Sequence, residues 1–510
     1  MSERRDASLE RDERPPGRRR DLSLRRRWEL RILRLQGRLD SAGADRVLPW
    51  AFFVGLFAVL AALALTRAHG LEEGADLGTF TQGAWLITRG DTPYLSIRGV
   101  DLLAEQAGFG FYPVAGLTSF LPAIPTLLVV QSALLAIGVV PLWRIARRVA
   151  DLRVGASLVL LTAYALYPAI HDINAAGFSP AAMALPALLG MALFGLTGRW
   201  WLFGACAVVA VANRADLALV TAAFGGLLAL EGKRRPGLVT AAVSLGYLVV
   251  ALLVVQPYYG DGSFVHAAAF ESYGDTALGA LGGMLTSPFQ VVGDLFDQQN
   301  FEILVMLFAP VFFLPFVAPR YLLPAVPLEC LYLIANVSED RVARPEHLVA
   351  ITAFVFLATA IGLSRIGRRS VERVNVDRRV LVALVLAAAV FFIQDAPSSP
   401  YEAPWSWGSR DEADEARLDA ADLVPDDDAV RASPALLPLL AERVALYELD
   451  TTGNPHVRRA AEGVDAIVLD AEAAPDWDDE DRRRFQQGLE TLGFEEVFAE
   501  AGITLYERVS

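Results

Sequence analysis

Carboxylates gather in the first polar stretch after an apolar run: Glu72, Glu73 and Asp76 follow the run from Leu48 to Thr66. A carboxylate tethered just outside a membrane by a spanning helix can meet a lipid-borne substrate and water at once. That placement suits a general base, and Asp76 is the candidate. Asp76 also suits the N-cap of a helix starting at Leu77, since Asp is a favoured cap residue. The three carboxylates lie close enough in sequence to share a divalent ion such as Mg or Mn, whose preference is for oxygen ligands. Their spacing is unspecific, so no cofactor is fixed by it. Downstream, Asn213-Arg214-Ala215-Asp216 sits between two apolar runs. A guanidinium matches anionic oxygens in a bidentate way, so Arg214 beside Asp216 is either a phosphate clamp or a self-satisfied pair at a helix start. His171-Asp172 follow Tyr167-Pro168 at the end of another run, as a metal or phosphate site or as a solvated pair. Arg341, Arg344 and His347 form a basic group able to attract a lipid phosphate, and Glu329 stands inside an apolar run, where an ionisable group is costly.

The elements that position these residues are mostly membrane helices. The chain has 510 residues, 54% of them hydrophobic, and a mean hydropathy of +0.38. Repeated apolar runs near the spanning length of roughly 20 residues make it an α-helical polytopic membrane protein. The runs predict 11 spans: about 48–68, 126–145, 154–170, 178–197, 199–212, 215–231, 237–256, 301–317, 320–335, 346–364 and 379–394. The first is too long for a cleaved signal and reads as a retained anchor. Between it and the second lies a loop, 69–112, with a helix from Leu77 to Thr88; Pro122 and Pro125 break the apolar stretch that follows. Cys206 and Cys330, both in apolar runs, offer neither zinc spacing nor a disulfide framework.

Charge sets the orientation. Arg144, Arg147, Arg148 and Arg153, then Lys233-Arg234-Arg235, then the cluster from Arg365 to Arg379 fall on one side, whereas residues 257–300 contain no Lys or Arg. The positive-inside rule places the N-terminus in the cytoplasm and the C-terminus outside a plasma membrane. Residues 1–46 carry 14 Arg against 9 acids. Their interspersed acids predict a largely disordered juxtamembrane tail, with a surface helix at Trp28–Leu39, and no nucleic-acid partner. Residues 395–510 carry 28 acids against 10 Arg. There, strands at Ala429–Ala432, Val444–Tyr447, Asp465–Asp470 and Ile503–Glu507 alternate with helices at Pro434–Arg443 and Asp481–Gly493. That alternation predicts a small extracytoplasmic α/β domain. The chain thus divides into a tail (1–45), a transmembrane domain (46–394) and an acidic outer domain (395–510), the last serving as a lid or partner-binding module.

Several motifs in order resemble a known family. Asp76-Leu-Gly-Thr-Phe-Thr-Gln82-Gly-Ala-Trp85, Tyr112-Pro113, Gln131, Tyr164-Ala-Leu-Tyr-Pro168, Arg214-Ala-Asp216, Arg320-Tyr321-Leu-Leu-Pro324 and Pro345-Glu-His347 resemble the polytopic membrane family known as domain of unknown function 2079. Val468-Leu-Asp470 and Leu505-Tyr-Glu-Arg508 extend the likeness, which covers about 48–510. That family in turn resembles the GT-C superfamily of integral-membrane glycosyltransferases, which use polyprenyl-phosphate-linked sugars. The resemblance implies that Asp76 is the catalytic carboxylate. It also makes Gln82, Trp85, Tyr112, His171, Arg214, Asp216, Arg341, Arg344 and His347 candidate substrate-binding residues. Two departures stand out: Phe178-Ser179-Pro180 where the family has Phe-His-Pro, and Ala215-Asp216 where it has Glu-Asp. His171 is a nearby substitute for the missing imidazole. The expected activity is transfer of a sugar from a polyprenyl-phosphate donor to a cell-envelope acceptor at the outer face, among membrane lipids. The alternatives are a lipid or solute transporter or flippase, with Glu329 and Arg214 along its path, and a non-catalytic scaffold.

Overall fold

A computed structural model describes residues 40–262, 265–335, 347–370 and 373–509. The surface helix expected at Trp28–Leu39 lies outside these residues, as do Arg341 and Arg344. The first apolar run forms one 28-residue helix, α1 (Ala42–His69), whose first turn is capped by the Ser41 hydroxyl accepting from the Ala44 amide. Gly70 ends it, and after a short turn α2 (Ala75–Arg89) begins, stopped by Gly90 in the left-handed region. Then come two-residue strands β1 (Tyr94–Leu95) and β2 (Val100–Asp101), paired as a hairpin.

The structure is mostly helical. Six helices among the described residues are long and apolar enough to cross a membrane, or seven if the bent pair Val154–Ala165 and Pro168–Ala175 is one span. Four expected spans lack that length. The helices Trp200–Asn213 and Leu217–Leu230 have 14 residues each, about 21 Å at the α-helical rise and short of a hydrocarbon core of about 30 Å. The second of these packs tightly on Arg234–Val250, where Gly225 and Gly237 face each other; a Cβ on Gly225 would meet the Gly237 carbonyl at 2.6 Å. Near 301–335 the prolines decide. The helix Gln298–Phe308 gives way to 3₁₀ turns holding Pro310, Pro315 and Pro319, and helix resumes only at Val326–Ile334. The helix Leu348–Ile366 is buried from Leu348 to Leu363 and forms the axis of the main core. A helix apolar on every side can take that position.

The basic loops meet at one end. The Arg147 guanidinium bridges Asp40 (2.9 Å) and Asp45 (2.7 Å) at the start of α1, and donates to the Leu152 carbonyl at 2.6 Å. Strands β3 (Arg368–Ser370) and β4 (Arg373–Asn375) form a hairpin beside it, with the Val374 amide donating to Asp151 and Arg373 to the Arg147 carbonyl.

At the other end lies a five-stranded sheet of β5 (Val430–Ala432), β6 (Leu446–Glu448), β7 (Ala466–Asp470), β8 (Phe494–Glu500) and β9 (Ile503–Arg508), in the order β6-β5-β7-β9-β8. The first three are parallel and the last two antiparallel. Helix Asp479–Thr491 forms where the sequence indicated, with a capping box from Asp478. The stretch 434–443 differs from the helix expected there: only a 3₁₀ turn, Pro434–Leu436, forms. Pro438 lacks the amide that a continuing helix would need. Strand β8 was not legible because Phe494-Glu-Glu-Val-Phe-Ala-Glu500 is acidic, a composition suited to the sheet edge it occupies.

Candidate functional site

Asp76 lies in the first turn of α2, whose N-cap is Gly74. Its carboxylate therefore does not cap the helix; it turns to Arg98. Asp76 Oδ1 accepts from Arg98 Nη2 at 2.7 Å, and Glu105 Oε1 accepts from Arg98 Nη1 at 2.5 Å. Arg98 comes from the turn of the β1–β2 hairpin, where its amide donates to the Leu95 carbonyl at 3.0 Å. Its guanidinium lies 5.3 Å from the centre of the Phe80 ring, a cation–π contact. Phe80 is in turn braced by Phe111 and Phe178, with ring centres 5.6 and 5.7 Å away. Burial opposes charge on Arg98, but Glu105 and Asp76 outweigh it and hold the guanidinium protonated above its usual range.

A second group forms around Asp216. Its Oδ2 accepts from Arg214 Nη2 at 2.7 Å and from the Tyr332 hydroxyl at 2.6 Å. Arg214 lies 5.9 Å from the Tyr332 ring centre, and His347 stacks on the other component of this group, the same Tyr332 ring, at 3.8 Å and 13°. Residues 105–110 join the two groups. The Ala215 amide donates to the Gln106 carbonyl at 3.0 Å, the Gly110 amide to Ala212 at 2.7 Å, and Gln256 Nε2 to the Glu105 carbonyl at 3.2 Å. Gly108 admits this approach because a Cβ there would lie 2.3 Å from the Asn213 carbonyl.

The sheet closes the same face. Gln82, fully buried on α2, donates to Ser96 at 2.7 Å and to the Arg443 carbonyl at 3.0 Å; its carbonyl oxygen accepts from the Ser96 amide at 3.1 Å. Ser96 Oγ accepts from the Leu446 amide at 2.9 Å and donates to the Leu446 carbonyl at 2.7 Å. These bonds bring Glu448, two residues on, near enough to Asp76 for the charges to repel; burial first, then Asp76 and Asp450, raise its carboxyl above the usual range.

Of the sequence candidates, Asp76 sits in the first group, and Arg214, Asp216 and His347 come together in the second. Gln82 uses its amide to join α2 to the β1–β2 hairpin and to the Arg443 carbonyl. Trp85 lies along α2 under the Arg89 guanidinium, 4.7 Å from its ring centre. Tyr112 is half-buried beside Phe109, ring centres 6.3 Å apart. His171 is buried away from the Asp76 and Asp216 groups in its hydrogen bonding. Both its nitrogens are engaged, Nε2 by the Ala165 carbonyl at 2.8 Å and Nδ1 by Ser398 Oγ at 2.5 Å, with Phe392 edge-on. A carbonyl accepts only, so Nε2 carries the proton and Ser398 donates to Nδ1. The Ser179 amide donates to Gln131 Oε1 at 2.7 Å, so the Phe178-Ser179-Pro180 segment is pinned to the bundle. Sequence reasoning missed Arg98 and Tyr332. Arg98 is the one cation between Arg89 and Tyr112, among Asp91, Asp101 and Glu105, and that isolation was the available signal.

The three carboxylates weighed as a metal site separate. Glu72 and Glu73 go to Arg67, at 3.3 and 3.6 Å, and Asp76 to Arg98. Among the described residues no group of three or more His, Cys, Asp or Glu is arranged to hold a metal ion. A shared divalent ion thus does not fit these carboxylates.

A family profile described as "Predicted membrane protein (DUF2079)" matches residues 67–494. The chain belongs to this family. A comparison with curated proteins gives no match. Among solved structures, the DUF2079 chain is similar to ArnT from Cupriavidus metallidurans bound to undecaprenyl phosphate, at 12% identity and a TM-score of 0.48, over 90% of this chain and 98% of that one. It is similar also to the arabinofuranosyltransferase AftD from Mycobacteria (14%, TM-score 0.49, 90% of this chain and 40% of that one). A third likeness is to the Archaeoglobus fulgidus oligosaccharyltransferase (12%, TM-score 0.42, 88% and 74%).

Proposed function

We propose that this DUF2079 protein is a membrane glycosyltransferase that takes a polyprenyl-phosphate-linked sugar at the outer face of the plasma membrane, with Asp76 as general base. The observation that carries the reading is the meeting, on residues 105–110, of an oriented carboxylate with a cation-bearing cluster. The sequence resemblance to GT-C enzymes supplies the donor class. Asp76 Oδ1 is engaged by Arg98, so Oδ2 takes the proton from an acceptor hydroxyl. The hydroxyl oxygen attacks the anomeric carbon, the bond from that carbon to the phosphate oxygen breaks, and the lipid phosphate leaves with the electron pair. Inversion follows from a single displacement. The Asp76 side chain is 47% exposed, which leaves it open to an acceptor from the aqueous side. Arg214, with His347 as a second donor, is assigned to the phosphate, with Arg341 and Arg344 of the adjoining segment as further candidates.

The two ends of the fold support the proposed orientation. The Arg147, Arg369 and Arg373 loops share the end where α1 starts, and Asp76 with the sheet shares the end where α1 stops. With basic loops inside, the site and residues 395–510 face outward and α1 starts at the cytoplasmic side. The test is turnover by purified protein in nanodiscs with a panel of radiolabelled polyprenyl-phosphate sugars, following release of lipid phosphate. Release by the wild type and its loss in Asp76→Asn supports the reading. Release that survives in the variant removes Asp76 as base, and no release with any donor removes the transferase reading.

A further inference from the structure

Three chain segments meet where the two groups join, and each carries a polar residue within five positions of the alanine it packs there. Ala107, Ala215 and Ala251 pack together with Tyr247 and Val255. Glu105 precedes the first of these, Asp216 follows the second, and Gln256 follows Val255. The contact is fixed by backbone carbonyls: Tyr247 donates to Ala107 at 2.5 Å, Gln256 to Glu105 at 3.2 Å, and His266 Nε2 meets the same Glu105 oxygen at 2.9 Å.

Each polar residue uses one end of its side chain and leaves an oxygen over. Glu105 Oε2, Asp216 Oδ1 and Gln256 Oε1 are buried and have no hydrogen-bond partner among the described residues. Gln256 as a whole is only 4% exposed. A buried acceptor without a donor costs on the order of 1–3 kcal/mol, so a native site that keeps three of them is built to receive donors. Asn213 Oδ1 is also without a partner, but it presses against Gly110, where a Cβ would lie 2.3 Å away. It is therefore excluded from the set.

The chemistry of the three oxygens narrows the ligand. All are acceptors, so a phosphate or carboxylate gains nothing there. The two carboxylates are already compensated by Arg98 and Arg214, which weakens the pull on a bare cation. What remains is an uncharged group rich in O–H donors. We propose that Glu105, Asp216 and Gln256 form a subsite for the hydroxyls of a neutral sugar ring, selecting against uronic acids. This rests on the glycosyltransferase reading and adds to it the class of sugar.

The experiment measures equilibrium binding to the full chain in nanodiscs. The probes are undecaprenyl phosphate, undecaprenyl-phosphate hexose and undecaprenyl-phosphate hexuronic acid, each with and without EDTA. The hexose lipid binds the wild type roughly tenfold tighter than bare undecaprenyl phosphate, as one or two net hydrogen bonds would give. The hexuronic lipid gains no such advantage. Gln256→Met removes most of the hexose preference, read as the ratio of hexose-lipid to bare-lipid affinity in the same variant. Because the sugar series is read on the wild type, a variant that fails to fold does not decide the outcome. Equal binding of the hexose and bare lipids overturns the subsite alone, as does a preference for the hexuronic lipid or one that EDTA abolishes. Binding of none of the three overturns the donor reading and the subsite with it.

Discussion

Arg98 holds two carboxylates with one side chain, and that decides how Asp76 can behave. A carboxylate bonded to a guanidinium keeps its direction. Asp76→Asn preserves the shape and loses the proton acceptor, so turnover should fall roughly a hundredfold to ten-thousandfold while the thermal midpoint stays within a few degrees. Arg98→Gln does more damage, because Asp76 and Glu105 are left facing each other beside an empty Phe80 face. The variant should lose roughly 1–3 kcal/mol of stability, read by thermal unfolding in detergent. Glu73 behaves differently again. It is 5% exposed, and burial, opposed by Arg67, pushes its carboxyl from 4.5 up to about 7. A group whose folded value is raised stabilises the fold fully below its unfolded value, and that contribution is lost as pH rises through about 7. Glu73→Gln should therefore flatten the fall in stability between about pH 5 and pH 8 and leave the variant up to about 3 kcal/mol more stable at the upper end. Unchanged pH dependence would mean that Glu73 does not titrate in this window.

At the scale of elements, the seam between α2 and the sheet is the construction on which the site depends. Gln82 and Ser96 join it by hydrogen bonds, and Gly78 permits it: a Cβ there would meet Leu437 and Pro438 at 3.0 to 3.1 Å. Ser96→Ala removes both bonds to Leu446, and hydrogen exchange at Leu446 should rise by at least tenfold. Gly78→Val drives the two surfaces apart and should lower turnover without touching Asp76. Much of this scale could be read from sequence and some could not. The helix of the first outer loop, the break before the second span and four of the five strands follow periodicity and proline chemistry. The seam does not, because Gln82 and Arg443 are 361 residues apart and no local pattern records a contact of that range. For the same reason the resemblance that made Gln82 a candidate did not reveal its bond to the Arg443 carbonyl. Arg214 and Asp216 were legible as a pair because they are two residues apart, whereas Tyr332 joins them only through the fold.

For the whole molecule, the separation of ends carries the topology. Basic loops meet near Arg147 and Asp151, and acidic segments meet near Asp76 and β6. A single Cys introduced at Ala501, which is exposed, should react with a membrane-impermeant maleimide on intact cells, and one introduced at Arg148 should react only after lysis. The reverse pattern would invert the orientation and place the site in the cytoplasm. Among the described residues six or seven helices have the length and apolar content of a span, with shorter helices packed among them, where apolar runs suggested 11 crossings. Hydropathy counts apolar residues and does not register where a proline or a short helix ends the crossing.

The rivets at Gln82 and Ser96 also set an order of events. The loop bearing Asp76 leaves the ribosome early, yet the carbonyls of Arg443, Val444 and Leu446 that complete it arrive some 350 residues later. Until then Gln82 has only Ser96 as a partner, and Asp76 stands in an unfinished wall. On the proposed orientation, completion of the site is a late step that waits for the last quarter of the chain rather than for insertion of the helices.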